Sequence, residues 1–355
     1  MNMSEIPFLP TNLLTIDAAL LDVARRAMSA NSWRALRADL RVFGEWCAAR
    51  GLPAMPATPG TVGSFLREQG EVGKKAATLS RYASSIARLH ALADLPDPTR
   101  AELVRLELKA QRRALGVRQR QARGLRFRGD VADPLAAAGP VGVCVEAMLV
   151  ATDTGLAGLR DRALLSLAFD TGLRRSEIVA ARWSHIERGS AGGGRLFVPR
   201  SKADQEGAGA YAYLSARTMG ALMGWRSACE VKDGGKDSTV FRRLHRARPK
   251  AGADVWTVGA GLSAQSVTLI YRAMLDAAHA ADLLGMIDVH DFEEWRSGLT
   301  AHSTRVGLTQ DLFASGQDLA GIMHALRWKS PAQPARYAQA LSVEANAAAK
   351  VVGRL

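Results

Sequence analysis

Hydrophobic positions recur at intervals of three and four through most of the first hundred residues. Between Asp17 and Ala30 the stripe is weak, built from Leu20, Leu21, Val23, Ala24 and Met28. Trp33, Leu36, Leu40, Phe43 and Trp46 form a stronger one, with Ser32 placed to cap the helix and Gly51 to end it. Two further helices are predicted over residues 58–69, through Val62, Phe65 and Leu66, and over 76–93, through Leu79, Tyr82, Ile86, Leu89 and Leu92. Asp97 and Pro98 read as the cap and first-position proline of a fifth helix that runs to about Leu115 before Gly116. The pattern therefore predicts an all-helical domain over 32–116, preceded by an N-terminal arm over 1–31.

After residue 131 the pattern becomes mixed. Helical periodicity covers 143–150 and 160–169, and Gly172 punctuates a turn before TGLRRSEIVAARW. The short runs RLFVPR (195–200) and AYAYL (210–214) flank the Gly-rich SKADQEGAG and predict a small sheet with a hairpin. Helices return at 215–229 and 263–284, while 245–261 is basic and turn-rich and reads as an exposed loop. The apolar run 343–352 reads as a helix that needs something to cover it. The expected fold class is mainly α with a small β-sheet in the second domain: a mixed α+β domain over 131–341 and a C-terminal helix in 342–355.

Charge changes the picture more than composition does. The chain has 355 residues, long enough for two cores, and its formal net charge of +13 points to a polyanionic partner. Ten basic residues fall between Arg100 and Arg128 (Arg100, Arg105, Lys109, Arg112, Arg113, Arg118, Arg120, Arg123, Arg126 and Arg128) against Glu102 and Glu107. That stretch predicts a basic linker, 117–130, lying across a nucleic-acid backbone, with Lys109, Arg112, Arg113, Arg118, Arg120 and Arg123 as candidate phosphate contacts. The bland alternative is a solvated tether. No run of 18 apolar residues argues for a membrane span, and the N-terminus lacks a charged region followed by an apolar one, so a cytoplasmic, nucleoid-associated location is expected. Cys47, Cys144 and Cys229 are isolated, which argues against a disulfide framework or a zinc site.

The candidate chemistry concentrates in HSTRVGLTQDLFASGQDLAGIMHALRWKSPAQPARY, residues 302–337. A helix over 303–314 would set His302 and Arg305 side by side, three residues apart, within reach of one anionic oxygen. Tyr337, in a short helical segment after Pro334, could meet them from another direction. No carboxylate cluster has metal-ligand spacing, so charge on a scissile phosphate would fall to Arg, Lys and His, and no cofactor is expected. A free tyrosine has a pKa of about 10, so only roughly one in a thousand is phenolate at pH 7, a deficit of about 4 kcal/mol that neighbours must supply.

TGLRRSEIVAARW, a hairpin lysine, His-Ser-Thr-Arg, and a Trp nine residues before a Tyr together resemble the tyrosine recombinase (phage integrase) family. The resemblance covers roughly Ser32 to the end. It implies a helical core-binding domain and a catalytic domain forming a clamp on double-stranded DNA, and a tetramer acting on two inverted-repeat sites without metal or ATP. It places catalytic arginines at Arg174 and Arg305, an acidic companion at Glu177, the hairpin lysine at Lys202 as general acid, a base or hydrogen-bond donor at His302, the later His-or-Trp position at Trp328, and the nucleophile at Tyr337. Many relatives have Leu-Gly-His where this chain has Leu326-Arg327-Trp328, and the sequence assigns Arg327 no role.

Each residue also has a structural reading. Tyr82, Tyr211, Tyr213 and Tyr271 are expected to be half-buried packing residues, Trp33, Trp46, Trp183 and Trp225 core, and the other histidines surface or packing groups. Only hairpin context selects Lys202 over Lys232, Lys236 or Lys250, and Glu177 could merely pair with Arg174 or Arg175. Two alternatives stay open: strand relaxation of the type IB topoisomerase kind, and a non-catalytic DNA-binding regulator on the same fold.

Overall fold

The computed structural model describes residues 17–116, 121–200, 207–229, 238–247, 255–339, 341 and 347–352. The chain divides into two compact units, Met1–Arg120 and Gln121–Leu355.

The first unit holds helices α1 (Ala18–Ala27), α2 (Ala30–Ala48), α3 (Pro59–Glu71), α4 (Ala76–Leu92) and α5 (Glu102–Leu115). Its core is aromatic: the rings of Phe43 and Trp46 on α2 meet Phe65 on α3 edge-on at 5.0 and 5.4 Å, and Tyr82 on α4 lies 5.4 Å from Phe65. The α2 cap differs from expectation. Ser29 accepts from the Ser32 N–H, so the helix starts one turn early. Asp97-Pro98 opens a short 3-10 turn, Pro98–Arg100, and α5 starts only after extended Ala101. Asp39 is buried on α2 but satisfied, taking a fork from Arg81 and the Ser85 hydroxyl. His90 is a core residue whose Nε2 accepts from the Ala57 N–H while Nδ1 faces the Ile86 carbonyl.

The second unit is built on α7 (Leu156–Thr171), a helix buried on nearly all sides, with Ala163, Leu164, Leu165, Leu167 and Ala168 fully enclosed. Around it pack α6 (Val145–Val150), α9 (Ala216–Ala228), α10 (Ala264–Ala280) and α12 (Ser303–Ala314). Short helices α8 (Arg175–Ala180), α11 (Val289–Gly298), α13 (Leu319–Ala325), α14 (Ala332–Ala338) and α15 (Ala347–Val352) complete the helical part.

Strands β1 (Ile186–Arg188), β2 (Gly194–Val198) and β3 (Ala210–Leu214) form an antiparallel sheet in that order, with Leu196 opposite Ala212 and Phe197 opposite Tyr211. Leu196, Val198, Ala212 and Leu214 point into the core by the two-residue pleat, which turns Tyr211 and Tyr213 outward. These two tyrosines are 50% and 70% exposed, so they are surface residues and not the half-buried packing expected of them. A second departure is the exposed loop expected over 245–261. Its ends belong to an antiparallel hairpin, β4 (Arg242–Ala247) with β5 (Val255–Gly261), pairing Leu244 with Val258. The basic side chains of RRLHRA hid an alternation whose apolar member, Leu244, packs on the core with Val258.

The stretch read as a basic tether also changes character from Gln121 on. Leu125 and Arg126 are buried in the second unit, and the Leu125 N–H donates to the Ser303 carbonyl. Arg126 donates to Asp311 at 2.7 Å, and Asp311 also accepts the Phe127 N–H. A cation counted in the basic run is thus the partner of a buried carboxylate. Among the described residues no helix is long and apolar enough to cross a membrane.

Candidate active site

The site is organised by the end of α7. A helix C-terminus leaves carbonyls without intrahelical partners and carries partial negative charge. Gly172 closes α7 in the left-handed conformation at φ 55°, and a Cβ there would lie 2.5 Å from Leu326 Cδ2, so both conformation and space demand glycine. A guanidinium from elsewhere in the chain meets this end: Arg305 donates Nη1 to Gly172 O at 2.6 Å, and its Nη2 donates to Leu326 O, at the end of α13, at 2.9 Å.

Arg305 is the second residue after Ser303 on α12 and is 1% exposed. Its guanidinium lies 4.7 Å from the centre of the Trp328 ring, which packs in turn 5.5 Å from the Tyr337 ring. Burial and the charges of Arg174 and Arg327 push its pKa down to about 9, so it remains a cation at neutral pH. A guanidinium has five N–H donors, and these two carbonyls take one from each terminal nitrogen.

Arg174 sits at the N-terminal cap of α8. Glu177, one turn on, accepts both the Arg174 backbone N–H at 3.0 Å and its Nη1 at 2.9 Å. The pairing left open by sequence is thus an orienting contact: a nearly buried carboxylate holds the arginine while that side chain stays partly exposed.

His302 caps α12, and its Nε2 lies 2.6 Å from the Tyr337 hydroxyl. Burial, then the charges of Arg305 and Arg174, lower the His302 pKa to about 4, so the imidazole is neutral at pH 7. Burial raises the Tyr337 pKa, and the neighbouring arginines only partly offset it. Tyr337 lies on α14, which begins at Ala332, before Pro334 and not after it. The proline falls in the first turn, where its missing N–H costs no intrahelical bond.

The geometry therefore gathers Arg174, Glu177, His302, Arg305, Trp328 and Tyr337. Lys202, Arg118 and Arg120 lie outside the described residues. Lys109, Arg112 and Arg113 are exposed on α5 of the first unit, whereas Arg123 pairs with Glu294 at 2.6 Å and lies over Trp295. Sequence reading missed three supports. Gln310 donates to the Tyr337 carbonyl at 3.4 Å, Asp311 fixes Arg126 and Phe127, and Gly307 lets α12 touch the backbone of Leu125, whose oxygen a Cβ would meet at 1.9 Å. The available signal was the lack of an apolar stripe on α12: Thr309, Gln310 and Asp311 occupy buried positions of a helix that must have a buried face.

A buried tyrosine hydroxyl against a neutral imidazole, flanked by two guanidiniums on a mainly helical unit with small antiparallel sheets, is the arrangement that a tyrosine recombinase catalytic domain calls for. The chain belongs to the phage integrase family: that family's model matches residues 144–343, and the phage integrase N-terminal SAM-like domain matches 22–94. It is 26% identical over 320 residues to an integrase/recombinase XerD homolog of Selenomonas ruminantium, covering 86% of this chain and 81% of the relative. It is 24% identical over 359 residues to the Cre recombinase of Escherichia phage P1, covering 98% and 96%. Among solved structures, the XerH site-specific recombinase bound to a palindromic difH substrate in a post-cleavage complex is similar with a TM-score of 0.58 at 15% identity, over 94% of this chain and 84% of that one. The Tn1549 transposon integrase in complex with circular intermediate DNA is similar with a TM-score of 0.57 at 12% identity, over 94% and 98%.

Proposed function

We propose that this protein is a site-specific DNA recombinase that cleaves and rejoins strands through a 3′-phosphotyrosyl bond at Tyr337. The observation that carries the reading is the 2.6 Å contact between a neutral His302 Nε2 and the Tyr337 hydroxyl, beside Arg305 and Arg174. Two difficulties of the chemistry meet answers there. The phenol must lose a proton as it attacks phosphorus, and a neutral imidazole within hydrogen-bond distance accepts it. An imidazole of such low basicity is a poor base in the empty site. A bound phosphodiester brings negative charge beside it, offsets the two guanidiniums, and makes proton acceptance easier as attack proceeds.

Arg174 and Arg305 then hold the non-bridging oxygens, where charge builds in the transition state. Trp328 packs against Arg305 and Tyr337 and keeps the pair aligned. The leaving 5′-oxygen takes its proton from Lys202, the general acid that the family resemblance implies. Rejoining runs the same steps backwards: a 5′-hydroxyl attacks the phosphotyrosine, and His302 returns its proton to the phenol. The broken bond's energy is kept in the phosphotyrosine, so the reaction requires neither ATP nor metal.

DNA as partner is supported by the net charge of +13, by the exposed Lys109, Arg112 and Arg113 on α5, and by the DNA-bound relatives. Arg118 and Arg120 extend that basic run. Exchange between two sites requires paired cleavage, so the working unit is a tetramer on inverted-repeat DNA. The α15 tail, with Val351 and Val352 63% and 66% exposed, is the segment proposed to seat on a neighbouring protomer. Deleting residues 342–355 should abolish cooperative assembly and spare single-site binding; unchanged assembly would sink that part.

The central test uses a nicked duplex carrying a site selected by the protein from random-sequence DNA. Incubation in EDTA should trap a protein–DNA adduct that Tyr337→Phe cannot form. Absence of an adduct on every selected site would leave a DNA-binding regulator as the function. With two sites on one plasmid, exchanged flanks indicate recombination, and relaxation alone indicates topoisomerase action.

A further inference from the structure

Arg327 is the residue that neither the sequence motifs nor the steps above employ. Its backbone stands at φ 55°, in the left-handed region that L side chains other than Asn and Asp seldom enter. The hydrogen bonds around it explain the conformation. Arg327 N–H donates to His324 O, and Trp328 N–H donates to Met323 O, so the end of α13 is closed by a Schellman turn with Arg327 in the position glycine usually fills.

An arginine in a glycine position needs a compensating contact, and the structure has one. Its Nη2 donates to Thr171 O at 2.9 Å, the carbonyl immediately before the Gly172 carbonyl that Arg305 holds. Two neighbouring carbonyls at the end of α7 are thus each taken by a different guanidinium. The turn pinned by Arg327 also carries Leu326, whose carbonyl accepts from Arg305, and Trp328, whose ring packs on Arg305 and Tyr337.

The charge count points the same way. Arg174, Arg305 and Arg327 lie within one another's field, with Glu177 as the carboxylate among them. These four side chains carry two positive charges in excess, and the exposed Arg336 is a further cation near Tyr337. A phosphodiester carries one negative charge, and the five-coordinate arrangement formed by tyrosine attack carries two. A cluster with that excess is better matched to the second than to the first, which is the condition for speeding the chemical step and not merely binding.

We propose that Arg327 is a positioning residue of the active site, which ties the Trp328 turn to the end of α7 and adds a third guanidinium charge to the Arg174–Arg305 pair. The inference rests on the reading of Tyr337 as nucleophile. It predicts that Arg327 accelerates cleavage while contributing little to DNA affinity.

The test compares Arg327→Gly, Arg327→Lys and Arg327→Gln in single-turnover adduct formation on the selected nicked duplex. Glycine suits the left-handed turn, so Arg327→Gly should fold with an unchanged or higher melting midpoint. Its cleavage rate should fall about 10- to 30-fold, the scale of one unit charge about 10 Å away at an effective dielectric near 20. Arg327→Gln, which keeps a donor but no charge, should fall comparably, while Arg327→Lys should stay within about threefold of wild type on the same charge argument.

The lysine and glutamine variants separate charge from mere structure. Both keep a side-chain donor, so a purely structural tie predicts similar losses in the two, whereas the charge argument predicts that Arg327→Lys keeps most of the rate and Arg327→Gln does not. An Arg327→Gly rate equal to wild type overturns the inference. So does an equal loss in Arg327→Lys and Arg327→Gln, which would make the residue purely structural. If the wild type itself forms no adduct, the reading of Tyr337 fails first and this one with it; if the wild type does and Arg327→Gly matches it, only the role of Arg327 fails.

Discussion

Helices α2 and α12 each bury one face, and the two faces are opposite in kind. On α2 the buried set includes Leu36, Leu40, Phe43, Trp46 and Cys47, with Asp39 as a satisfied exception. On α12 it includes Ser303, Thr304, Arg305, Thr309, Gln310 and Asp311. The first face gains free energy simply by leaving water. The second costs free energy unless every polar group finds a partner, and its partners come from α7, α14 and the 121–130 segment. A helix that buries arginine, glutamine and aspartate is retained for what it positions, and its stability is borrowed from the chain around it.

The sharpest way to break this contrast is to truncate one residue on each face. Arg305→Ala should reduce adduct formation by about 10²- to 10³-fold, the scale of losing a principal charge-stabilising donor. Phe43→Ala should cost about 3–5 kcal/mol of stability while leaving the cleavage chemistry of the folded molecules intact. Denaturant midpoints and single-turnover rates on the same preparations decide it. Equal stability loss with retained cleavage in Arg305→Ala would make α12 an ordinary structural helix.

Next in size is the buried ion pair. Arg126→Ala leaves Asp311 enclosed with the Phe127 N–H as its remaining partner, and should destabilise the second unit by about 3–5 kcal/mol. Replacing both with apolar residues of similar volume, Arg126→Met with Asp311→Leu, should recover most of that loss, since the cost lies in an uncompensated charge. A double variant no better than Arg126→Ala would contradict it.

Smaller again is a change in the second layer. A Cβ on Gly124 would meet Gln310 Oε1 at 1.9 Å, and Gln310 supports the Tyr337 carbonyl. Gly124→Ala should displace that amide and slow adduct formation about tenfold, well short of the 10²-fold that an ångström of misplacement can cost. Unaltered kinetics would remove Gln310 from the support of Tyr337.

The subtlest expected effect is a titration. His302 should protonate near pH 4 in the DNA-free protein, well below the usual 6.5, because burial and two arginines oppose its charge. Between pH 6.5 and 4 the unfolded chain takes up this proton while the native protein does not, so the site's contribution to stability falls as pH falls through that window and is constant above it. Imidazole nitrogen shifts in NMR report the value directly. Adding DNA should move it upward, and a free-protein midpoint near 6.5 would show that the imidazole is not held in the cationic, desolvated place described.

Much of the first unit was legible because its helices obey periodicity. Burial of Leu79, Tyr82, Ile86 and Leu89 on α4 follows from their spacing, since apolar residues at three and four can be removed from water together only as a helical face. The residues of the site were legible for a different reason: Arg174, His302, Arg305, Trp328 and Tyr337 stand in a spacing that matches the family motif, and the structure brings them together. What stayed hidden were contacts whose two halves lie far apart in the chain. Arg126 looked like one more cation in a basic run until Asp311 was placed beside it, 185 residues away. β4 and β5 looked like loop because each needs the other to make its alternation meaningful.

The sequence by itself determined the helical faces, the excess of positive charge and the candidate site residues, since these depend on residue identity and on spacing along one element. Only the tertiary structure decided that the end of α7 is where those groups meet. Its unpaired carbonyls become anchors for Arg305 and Arg327 only after residues more than a hundred positions apart are packed together, because an unsatisfied backbone oxygen has no signature in the sequence and acquires its partner on folding.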